Sequence, residues 1–383
     1  MKPIPYGRQF IFSDDIRAVV DVLRSDFLTQ GPTINEFEKK FADYVGSKYA
    51  VAVSSGTAAL HLSALVLGVK KNTKVITTPI TFVASANCVK YCGGEVCFAD
   101  IDPVTYTIDI DQVSRLLESS PKGTFSGIIP VDFAGYPVNM EEIRTLADKH
   151  NLWILEDACH APGGCFLDGK GEKQFCGNGK YADLAIFSFH PVKHFATGEG
   201  GMITTSDEGL YNKLRLLRTH GITKDPSMLS HNPGGWYYEM QELGFNYRLS
   251  NIHSALGISQ LKRADEGINR RKKIAETYNK AFKNTTIITP MLQNGFEHAY
   301  HLYVIQVENR KALYDYLKEN QIFTQVHYIP VHYQPYYIQF GYKKGDFPVA
   351  EKYYEYCLSL PMYPALKDEE QDFVIEKVIE FYR

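Results

Sequence analysis

Between about Tyr49 and Thr205 the sequence alternates short apolar runs with segments of helical periodicity. The runs YAVAVSS, KVITTP, EVCFAD, GIIPVDF, LWILEDA, ADLAIFSFH and GMITTS have the composition of buried strands. Segments between them, such as TAALHLSALVLG and MEEIRTLADKHN, repeat apolar residues at helical spacing. Strands that alternate with helices are joined by crossovers, which align them in parallel. The sequence therefore predicts an α/β fold with a mostly parallel central sheet sandwiched by helices.

The regions on either side of this alternation predict an arm and a second domain. Helices are expected from Ser13 and from about Pro32 to Gly46, and another from 250 to about 282 with a kink near Gly267. AYHLYVIQV and IFTQVHYIP then predict strands around the helix KALYDYLKENQ, with helices following. A chain of 383 residues exceeds one compact core, so we expect a large domain over 1–250 and a smaller C-terminal α+β domain over 251–383.

Composition argues against several classes of function. With 41 basic and 44 acidic residues, the formal net charge of -3 predicts no broad surface for nucleic acid. No apolar run approaches the roughly 18 residues that span a membrane, and MKPIPYGRQF does not resemble a signal peptide. The seven scattered cysteines suggest reduced thiols and a cytoplasmic location. Cys88, Cys92 and Cys97 contain no CxxC pair, so no metal site is predicted.

The segment SSGTAAL, residues 54–60, joins a predicted strand to a predicted helix. A glycine between hydroxyl residues allows a tight turn, and the free N–H groups of a first helical turn attract anions. An ordinary capped strand-to-helix turn is the favoured interpretation of the segment alone, and phosphate binding is the other.

The segment LWILEDACHA ends an apolar strand in Glu156 and Asp157. A carboxylate at the end of a buried strand is unfavourable unless a cation or hydrogen bonds compensate it. A protonated ring nitrogen of a cofactor could be that cation, although a helix cap is the alternative in isolation.

The segment SFHPVKHFATGEGG places a single lysine, Lys193, after the predicted strand ADLAIF. Lysine amines form Schiff bases, and pyridoxal phosphate is tethered in this way. That cofactor also needs a carboxylate, a phosphate cradle and an aromatic face, for which the chain offers Asp157, the SSGTAAL turn and Phe82. Ligands of parallel sheets collect at strand ends, so the joint occurrence of these signals favours pyridoxal 5'-phosphate.

These motifs, with TTPITFVASAN, LRTHGI, GFNYRLSNIHSALGISQL and QVHYIP, resemble those of the fold-type I PLP-dependent transferases. Within that group the chain is similar, nearly end to end, to the DegT/StrS-type sugar aminotransferases. The finer resemblance, carried by SFHPVKH, GEGG and QVHYIPVHYQPYY, is to the branch that aminates C4 of a UDP-linked 4-keto-6-deoxy amino sugar in pseudaminic acid biosynthesis.

The resemblance implies roles for three catalytic residues. Lys193 looks like the Schiff-base lysine and proton shuttle, and Asp157 like the partner of the pyridine nitrogen. His160 occupies a position that faces the ring oxygen of the cofactor.

Further cofactor contacts are implied by the same resemblance. Thr57 and Ala58 look like backbone ligands of the phosphate, Ser188 like a hydroxyl ligand, and Phe82 like the residue stacked on the ring. Asn246 is similar to the asparagine that reaches the phosphate from a partner subunit.

Substrate contacts are implied for Arg248, Tyr6, Thr29 and His327. Arg248 resembles the arginine that reaches the substrate diphosphate across the subunit interface, so a homodimer with shared active sites is expected. Tyr6 aligns with an aromatic residue near the base, Thr29 with a nucleotide contact, and His327 with the closure of the small domain. A disordered tail remains the alternative for Tyr6, and a core histidine for His327.

The expected reaction transfers the amino group of L-glutamate to C4 of the UDP-linked keto sugar, with pyridoxal phosphate as carrier. Another nucleotide keto sugar, dTDP- or GDP-linked and aminated at C3 or C4, is the main alternative. A sugar dehydratase of the same fold has histidine in place of the lysine, so Lys193 argues against it. A non-enzymatic regulator is disfavoured by the intact lysine, aspartate and phosphate turn.

One segment departs from the family pattern. Residues 163–184, GGCFLDGKGEKQFCGNGKYADL, are longer and richer in glycine than the short hairpin expected there, and they contain Cys165 and Cys176. A surface hairpin is predicted, with a redox or metal role as the minor alternative.

Overall fold

A computed structural model describes residues 2–383, and its centre is a seven-stranded sheet. Its strands are β1 (Tyr49–Val53), β2 (Lys74–Thr77), β3 (Glu95–Phe98), β4 (Gly127–Ile129), β5 (Trp153–Asp157), β8 (Leu184–Ser188) and β9 (Gly201–Thr205). Their order is β1-β9-β8-β5-β4-β2-β3. Strand β9 runs antiparallel to both of its neighbours, β1 and β8, whereas all other pairs are parallel. The mostly parallel sheet predicted from the alternation is confirmed.

Helices cover the sheet and form the N-terminal arm. They are α1 (Ser13–Leu23), α2 (Pro32–Val45), α3 (Gly56–Val66), α4 (Ala84–Tyr91), α5 (Ile110–Ser119), α6 (Met140–His150) and α7 (Glu208–Leu217). The expected end signals are present: α2 has proline at its first position and ends at Gly46, whose φ of 78° lies in the left-handed region. The side chain of Asp109 accepts hydrogen bonds at the start of α5.

The long segment after β5 is a hairpin, as predicted. Strands β6 (Cys165–Leu167) and β7 (Lys173–Phe175) pair antiparallel, and β6 also pairs with β12 (Phe296–Glu297). Both cysteines of the hairpin are buried free thiols. Cys176 lies beside Asp132 and Glu156, with donor atoms within 4.8 Å of one another. Burial raises the pKa of both carboxyls, that of Asp132 to about 7, which favours shared protons over charge.

A second core lies in the C-terminal region. A two-stranded ribbon of β10 (Ile222–Thr223) and β11 (Glu239–Met240) precedes it. The region contains α8 (Asn251–Leu261), α9 (Ala264–Phe282), β13 (Tyr303–Gln306), α10 (Arg310–Glu319), α11 (Pro335–Ile338), α12 (Pro348–Tyr356), β14 (Cys357–Leu360) and α13 (Asp368–Phe381). Tyr278, Tyr303 and Leu313 are among its fully buried residues.

Chain segments pass between the two predicted domains. Ile4 is buried in the C-terminal core, and its backbone bonds to Gln321 and Phe323 at 2.9 and 2.8 Å. Helix α8 packs against α1 and α2 of the N-terminal region. The boundary at residue 250 therefore stays a prediction.

Two details of the C-terminal region differ from the expectation. The long helix is not kinked at Gly267; it breaks at Arg263, whose side chain lies 3.8 Å over the ring of Phe12 and pairs with Asp15 at 2.8 Å. The segment IFTQVHYIP is not a regular strand, because only single bridges join Ile322 to Ile4 and Gln325 to Ser359. The partner strand of β13 is instead β14, where helix was expected.

None of the helices formed by residues 2–383 combines the length and apolar character required to cross a membrane.

Candidate active site

The ends of several sheet strands open into one cavity of about 390 Å³. Eight of the residues singled out from the sequence line it, although the sequence separates them by up to 321 positions: Tyr6, Thr57, Phe82, Asp157, His160, Ser188, Lys193 and His327. The remaining four, Thr29, Ala58, Asn246 and Arg248, do not line it. The four groups that were expected to meet at strand ends, namely Lys193, Asp157, Phe82 and the SSGTAAL turn, all contribute to this lining, while their roles stay predictions.

The SSGTAAL turn links the end of β1 to the start of α3. The Ser55 side chain accepts the N–H of Ala58 at 3.1 Å, so that N–H is already engaged and Ala58 lies outside the cavity lining. Glycine is needed at position 56 because the backbone there lies close to Ser188: a Cβ on residue 56 would lie 2.9 Å from Cβ of Ser188. The turn and the Ser188 hydroxyl thus form one polar wall, at a helix N-terminus that favours an anion.

Asp157 ends β5 and is only 5% exposed. One carboxylate oxygen accepts the Ser85 hydroxyl at 2.6 Å, and the other accepts the Cys159 N–H at 3.2 Å. Each oxygen of this buried carboxylate therefore has a hydrogen-bond donor. The alternative of a helix cap for Asp157 is not supported, because the Cys159 bond belongs to a tight turn with no helix after it.

Lys193 lies in the loop between β8 and β9, where its N–H donates to the His190 carbonyl at 2.8 Å. Desolvation lowers the pKa of the Lys193 amine, while Cys159 and Asp157 act in the opposite direction. A lower pKa increases the share of neutral amine, which is the nucleophilic form. Lys193 is therefore held in a pocket and is not an ordinary surface charge.

The hydrogen bonds of His160 determine which ring nitrogen carries its proton. The Ala134 N–H is directed at Nδ1 at 3.2 Å, so Nδ1 must accept. Burial holds the pKa of His160 well below its usual value, and the neutral ring then carries its proton on Nε2, 3.3 Å from the Tyr328 hydroxyl. This geometry makes His160 a hydrogen-bond donor into the cavity and not a base.

His327 sits on the side of the cavity formed by the C-terminal region. Its Nδ1 lies 2.8 Å from the Ser359 hydroxyl, and its ring centroid lies 5.3 Å from that of Tyr6. Burial lowers the pKa of His327 to about 3, so the ring is neutral at physiological pH. The hydrogen bond to Ser359 agrees with the interpretation of His327 as a core histidine. Its position in the cavity lining agrees with the interpretation of His327 as a substrate contact.

The further lining residues that sequence reasoning did not single out include His301, Tyr328, Ser85 and Thr81. Tyr328 follows His327 in the HYIP motif, so the motif could have indicated it. His301 lies in the loop before β13, within a segment expected to be a strand, and no local pattern singles it out. Burial keeps His301 neutral by holding its pKa well below the usual value.

Three of the four residues outside the cavity, Thr29, Asn246 and Arg248, lie in single backbone bridges to other parts of the chain. Thr29 pairs with Ser250, and Arg248 pairs with Val53 at the end of β1. Asn246 and Thr29 are exposed. None of these three side chains lines the cavity of its own chain.

A family model described as the DegT/DnrJ/EryC1/StrS aminotransferase family matches residues 10–379. The chain belongs to this family. It is accordingly an aminotransferase, and pyridoxal phosphate is its cofactor.

Individual relatives cover the chain almost completely. It is 41% identical to the spore coat polysaccharide biosynthesis protein SpsC of Bacillus subtilis, over 98% of this chain and 96% of the relative. It is 38% identical to a UDP-4-amino-4,6-dideoxy-N-acetyl-beta-L-altrosamine transaminase of Campylobacter jejuni, over 97% and 95%. The solved structure of Helicobacter pylori PseC, an aminotransferase involved in pseudoaminic acid biosynthesis, is similar with a TM-score of 0.88 and 31% identity, over 99% of both chains.

The residues present fit the cofactor of the family. Lys193 offers a desolvated amine, Asp157 a hydrogen-bonded carboxylate for a ring nitrogen, and Phe82 an aromatic ring that is 56% exposed. Gly56 keeps the phosphate turn against Ser188 without a side chain in between.

Proposed function

We propose that the protein transfers the amino group of L-glutamate to C4 of a UDP-linked 4-keto-6-deoxy-N-acetylamino sugar. The observation that carries this proposal is the convergence of Lys193, Asp157 and the phosphate turn on one cavity. The choice of sugar is supported by the similarity to the Campylobacter transaminase and to PseC. The product would be of the UDP-4-amino-4,6-dideoxy-N-acetyl-L-altrosamine type.

One part of the cavity wall also favours a sugar. His160, His301 and His327 line it as neutral imidazoles, because burial lowers the pKa of each. The N–H groups of His301 and His327 can donate to sugar oxygens at little electrostatic cost, and so can the Tyr328 hydroxyl, which accepts from His160. These groups carry no positive charge that could pair with the side-chain carboxylate of glutamate. The wall therefore matches the keto sugar better than it matches the glutamate donor.

Lys193 is the residue that moves the proton. The cofactor, when bound, supplies an electron sink for the α-carbon of the amino donor. The Lys193 amine would act first as the base that takes the proton from that carbon and then as the acid that gives it up. Asp157, held by two hydrogen bonds, would pair with the ring nitrogen of the cofactor. His160 donates a hydrogen bond from Nε2–H to the Tyr328 hydroxyl and so holds Tyr328 in place.

Two changes test these roles. Lys193→Ala should abolish amino transfer and remove the adduct that borohydride forms on the native chain, which peptide mapping should find on Lys193. Asp157→Asn should slow single-turnover conversion with glutamate at least about a hundredfold, equivalent to roughly 2.7 kcal/mol of barrier. An adduct on another lysine, or a near-native rate in Asp157→Asn, would contradict the assignments.

We further propose that the enzyme is a homodimer in which Thr29, Asn246 and Arg248 complete the site of the partner. Their position outside the cavity of their own chain supports this arrangement. Arginine suits a diphosphate because its planar guanidinium pairs with two phosphate oxygens.

Subunit mixing tests the shared site. Inactive Lys193→Ala chains are mixed with inactive Arg248→Ala chains under conditions of proven exchange. A heterodimer then holds one site with both lesions and one site with neither, so partial activity should return. Exchange without any recovery would show that each chain builds its own site.

The substrate itself is tested by mass spectrometry of the products from a panel of UDP-, dTDP- and GDP-linked keto sugars with glutamate. A gain of one amino group on the UDP-linked 4-keto-6-deoxy-N-acetylamino sugar is expected, with Lys193→Ala as the inactive control. Preference for a dTDP- or GDP-linked sugar, or amination at C3, would replace the proposed substrate while leaving the reaction class intact.

We also infer a cytoplasmic location. All seven cysteines are free thiols, and four of them are buried, as expected for a chain in a reducing compartment. Cell fractionation with antibody detection tests this inference, and recovery outside the cytoplasmic fraction would contradict it.

A further inference from the structure

A line of hydroxyl groups, formed by Thr81 and Ser85, leads to Asp157 within the cavity wall. The Thr81 and Ser85 hydroxyl oxygens are 2.7 Å apart, and the Ser85 oxygen is 2.6 Å from Oδ2 of Asp157. Thr81 and Ser85 are 2% and 1% exposed, so water does not compete for these bonds. Ser85 belongs to α4, and Thr81 lies in the loop before that helix.

The direction of these hydrogen bonds follows from chemistry. An ionised carboxylate can only accept, so the Ser85 proton is donated to Asp157. The alternative acceptor, the Phe82 carbonyl, is 3.3 Å away, whereas short contacts are typical of bonds to a charged oxygen. Since the single Ser85 proton is used, Thr81 must be the donor in the Thr81–Ser85 bond.

The two oxygens of Asp157 are thereby occupied in different ways. Oδ2 accepts a hydrogen bond from the Ser85 hydroxyl, which in turn accepts one from Thr81. Oδ1 accepts a hydrogen bond from the Cys159 N–H at 3.2 Å. Two donors on different oxygens define the plane of the carboxylate. The rotation of Asp157 is therefore set before any ligand enters the cavity, which is the preorganisation that an electrostatic partner requires.

We propose that Ser85, oriented by Thr81, is the positioning residue of Asp157: it fixes the carboxylate plane and holds its charge opposite the ring nitrogen of the cofactor. This inference rests on the proposed role of Asp157. It does not depend on which sugar is the substrate. Ser85 touches no reacting atom in this scheme and acts only through Asp157.

The central experiment compares Ser85→Ala with Ser63→Ala. Ser63 is a fully buried serine of α3 whose hydroxyl has no partner in residues 2–383, so its removal is the same chemical change without a link to Asp157. Thr81→Val removes only the first hydroxyl of the line, and Ser85→Thr keeps the hydroxyl next to Asp157. Apoenzymes are titrated with pyridoxal phosphate, and their thermal unfolding without cofactor is recorded.

Loss of a hydrogen bond to a charged group predicts an increase of about tenfold in the cofactor dissociation constant of Ser85→Ala. Thr81→Val should show a smaller increase, Ser85→Thr should restore most of the affinity, and Ser63→Ala should be unchanged. The pH at which the absorbance of the bound cofactor titrates should also shift in Ser85→Ala. In steady state, kcat should fall more than KM for glutamate rises.

Two outcomes would overturn the proposal. Equal cofactor affinity and an unshifted absorbance titration in Ser85→Ala would show that the line does not act on Asp157. A loss of affinity matched by an equal loss of apoenzyme stability would show a purely structural role. The same titration of Asp157→Asn tests the proposed role of Asp157 by itself. An unchanged cofactor affinity in that variant would contradict the role of Asp157, whereas an unchanged affinity in Ser85→Ala alone would contradict the role of Ser85.

Discussion

Replacing Gly56 by alanine is the perturbation whose effect follows most directly from the geometry. The new Cβ would lie 2.9 Å from Cβ and 3.2 Å from Oγ of Ser188. Carbon atoms normally approach to about 3.5–4.0 Å, so the two residues would have to separate by roughly 0.6 Å or more. Gly56 begins α3 and Ser188 ends β8, and both elements are packed in the sheet core. Neither side can move freely, so strain is expected.

Overpacking of this size typically costs about 1–3 kcal/mol of folding free energy. The separation also moves the Ser188 hydroxyl away from the N-terminus of α3, and both face the cavity. We therefore expect Gly56→Ala to weaken binding of pyridoxal phosphate by about tenfold or more, which corresponds to at least about 1.4 kcal/mol.

Denaturant unfolding of the apoenzyme measures the first effect, and titration with pyridoxal phosphate measures the second. Gly235→Ala is the matched control, because a Cβ there meets no atom within 4 Å. It should leave both quantities unchanged. Native stability together with native affinity in Gly56→Ala would refute the contact between the turn and Ser188.

Three other outcomes follow from the packing. Gly267→Ala in α9 should stabilise the protein by about 0.5–1 kcal/mol, since the added Cβ meets nothing closer than 3.6 Å; a lower denaturant midpoint would contradict this. Arg218→Met should cost about 3–5 kcal/mol in the same assay, because it leaves Glu38 buried without its ion-pair partner, and a loss under about 1 kcal/mol would contradict the pairing. Burial raises the pKa of Asp132 to about 7 and also raises that of Glu156. A carboxyl whose pKa is raised by folding stabilises the folded state fully below its unfolded pKa near 4, and this contribution is lost as the pH rises through its folded pKa of about 7. The free energy of unfolding should therefore fall between about pH 4 and pH 7, and it should fall less in Asp132→Asn.

The sequence alone was enough to predict the sheet and most of its chemistry. Strand and helix periods are local properties of the chain, so the alternation from Tyr49 to Thr205 indicated the parallel sheet. The position of a motif relative to a strand end is equally local. For that reason Asp157, Lys193 and the phosphate turn could be assigned to one edge before any contact was known.

Features that depend on distant contacts were not predictable in this way. The helix breaks at Arg263 and not at Gly267, and Arg263 is the residue that contacts Phe12 and Asp15, about 250 positions earlier. The antiparallel direction of β9 and the irregular path of residues 322–330 likewise depend on which strands and bridges become neighbours.

The same distinction applies within the site. Sequence motifs named His160 and Asp157, but only folding brings Ala134 to one ring nitrogen and Ser85 to one carboxylate oxygen. Those contacts decide which atom carries a proton and which way a carboxylate faces. A motif specifies the type of a side chain, whereas its hydrogen-bond partners come from other strands and loops, and therefore only the tertiary structure determines its protonation and orientation.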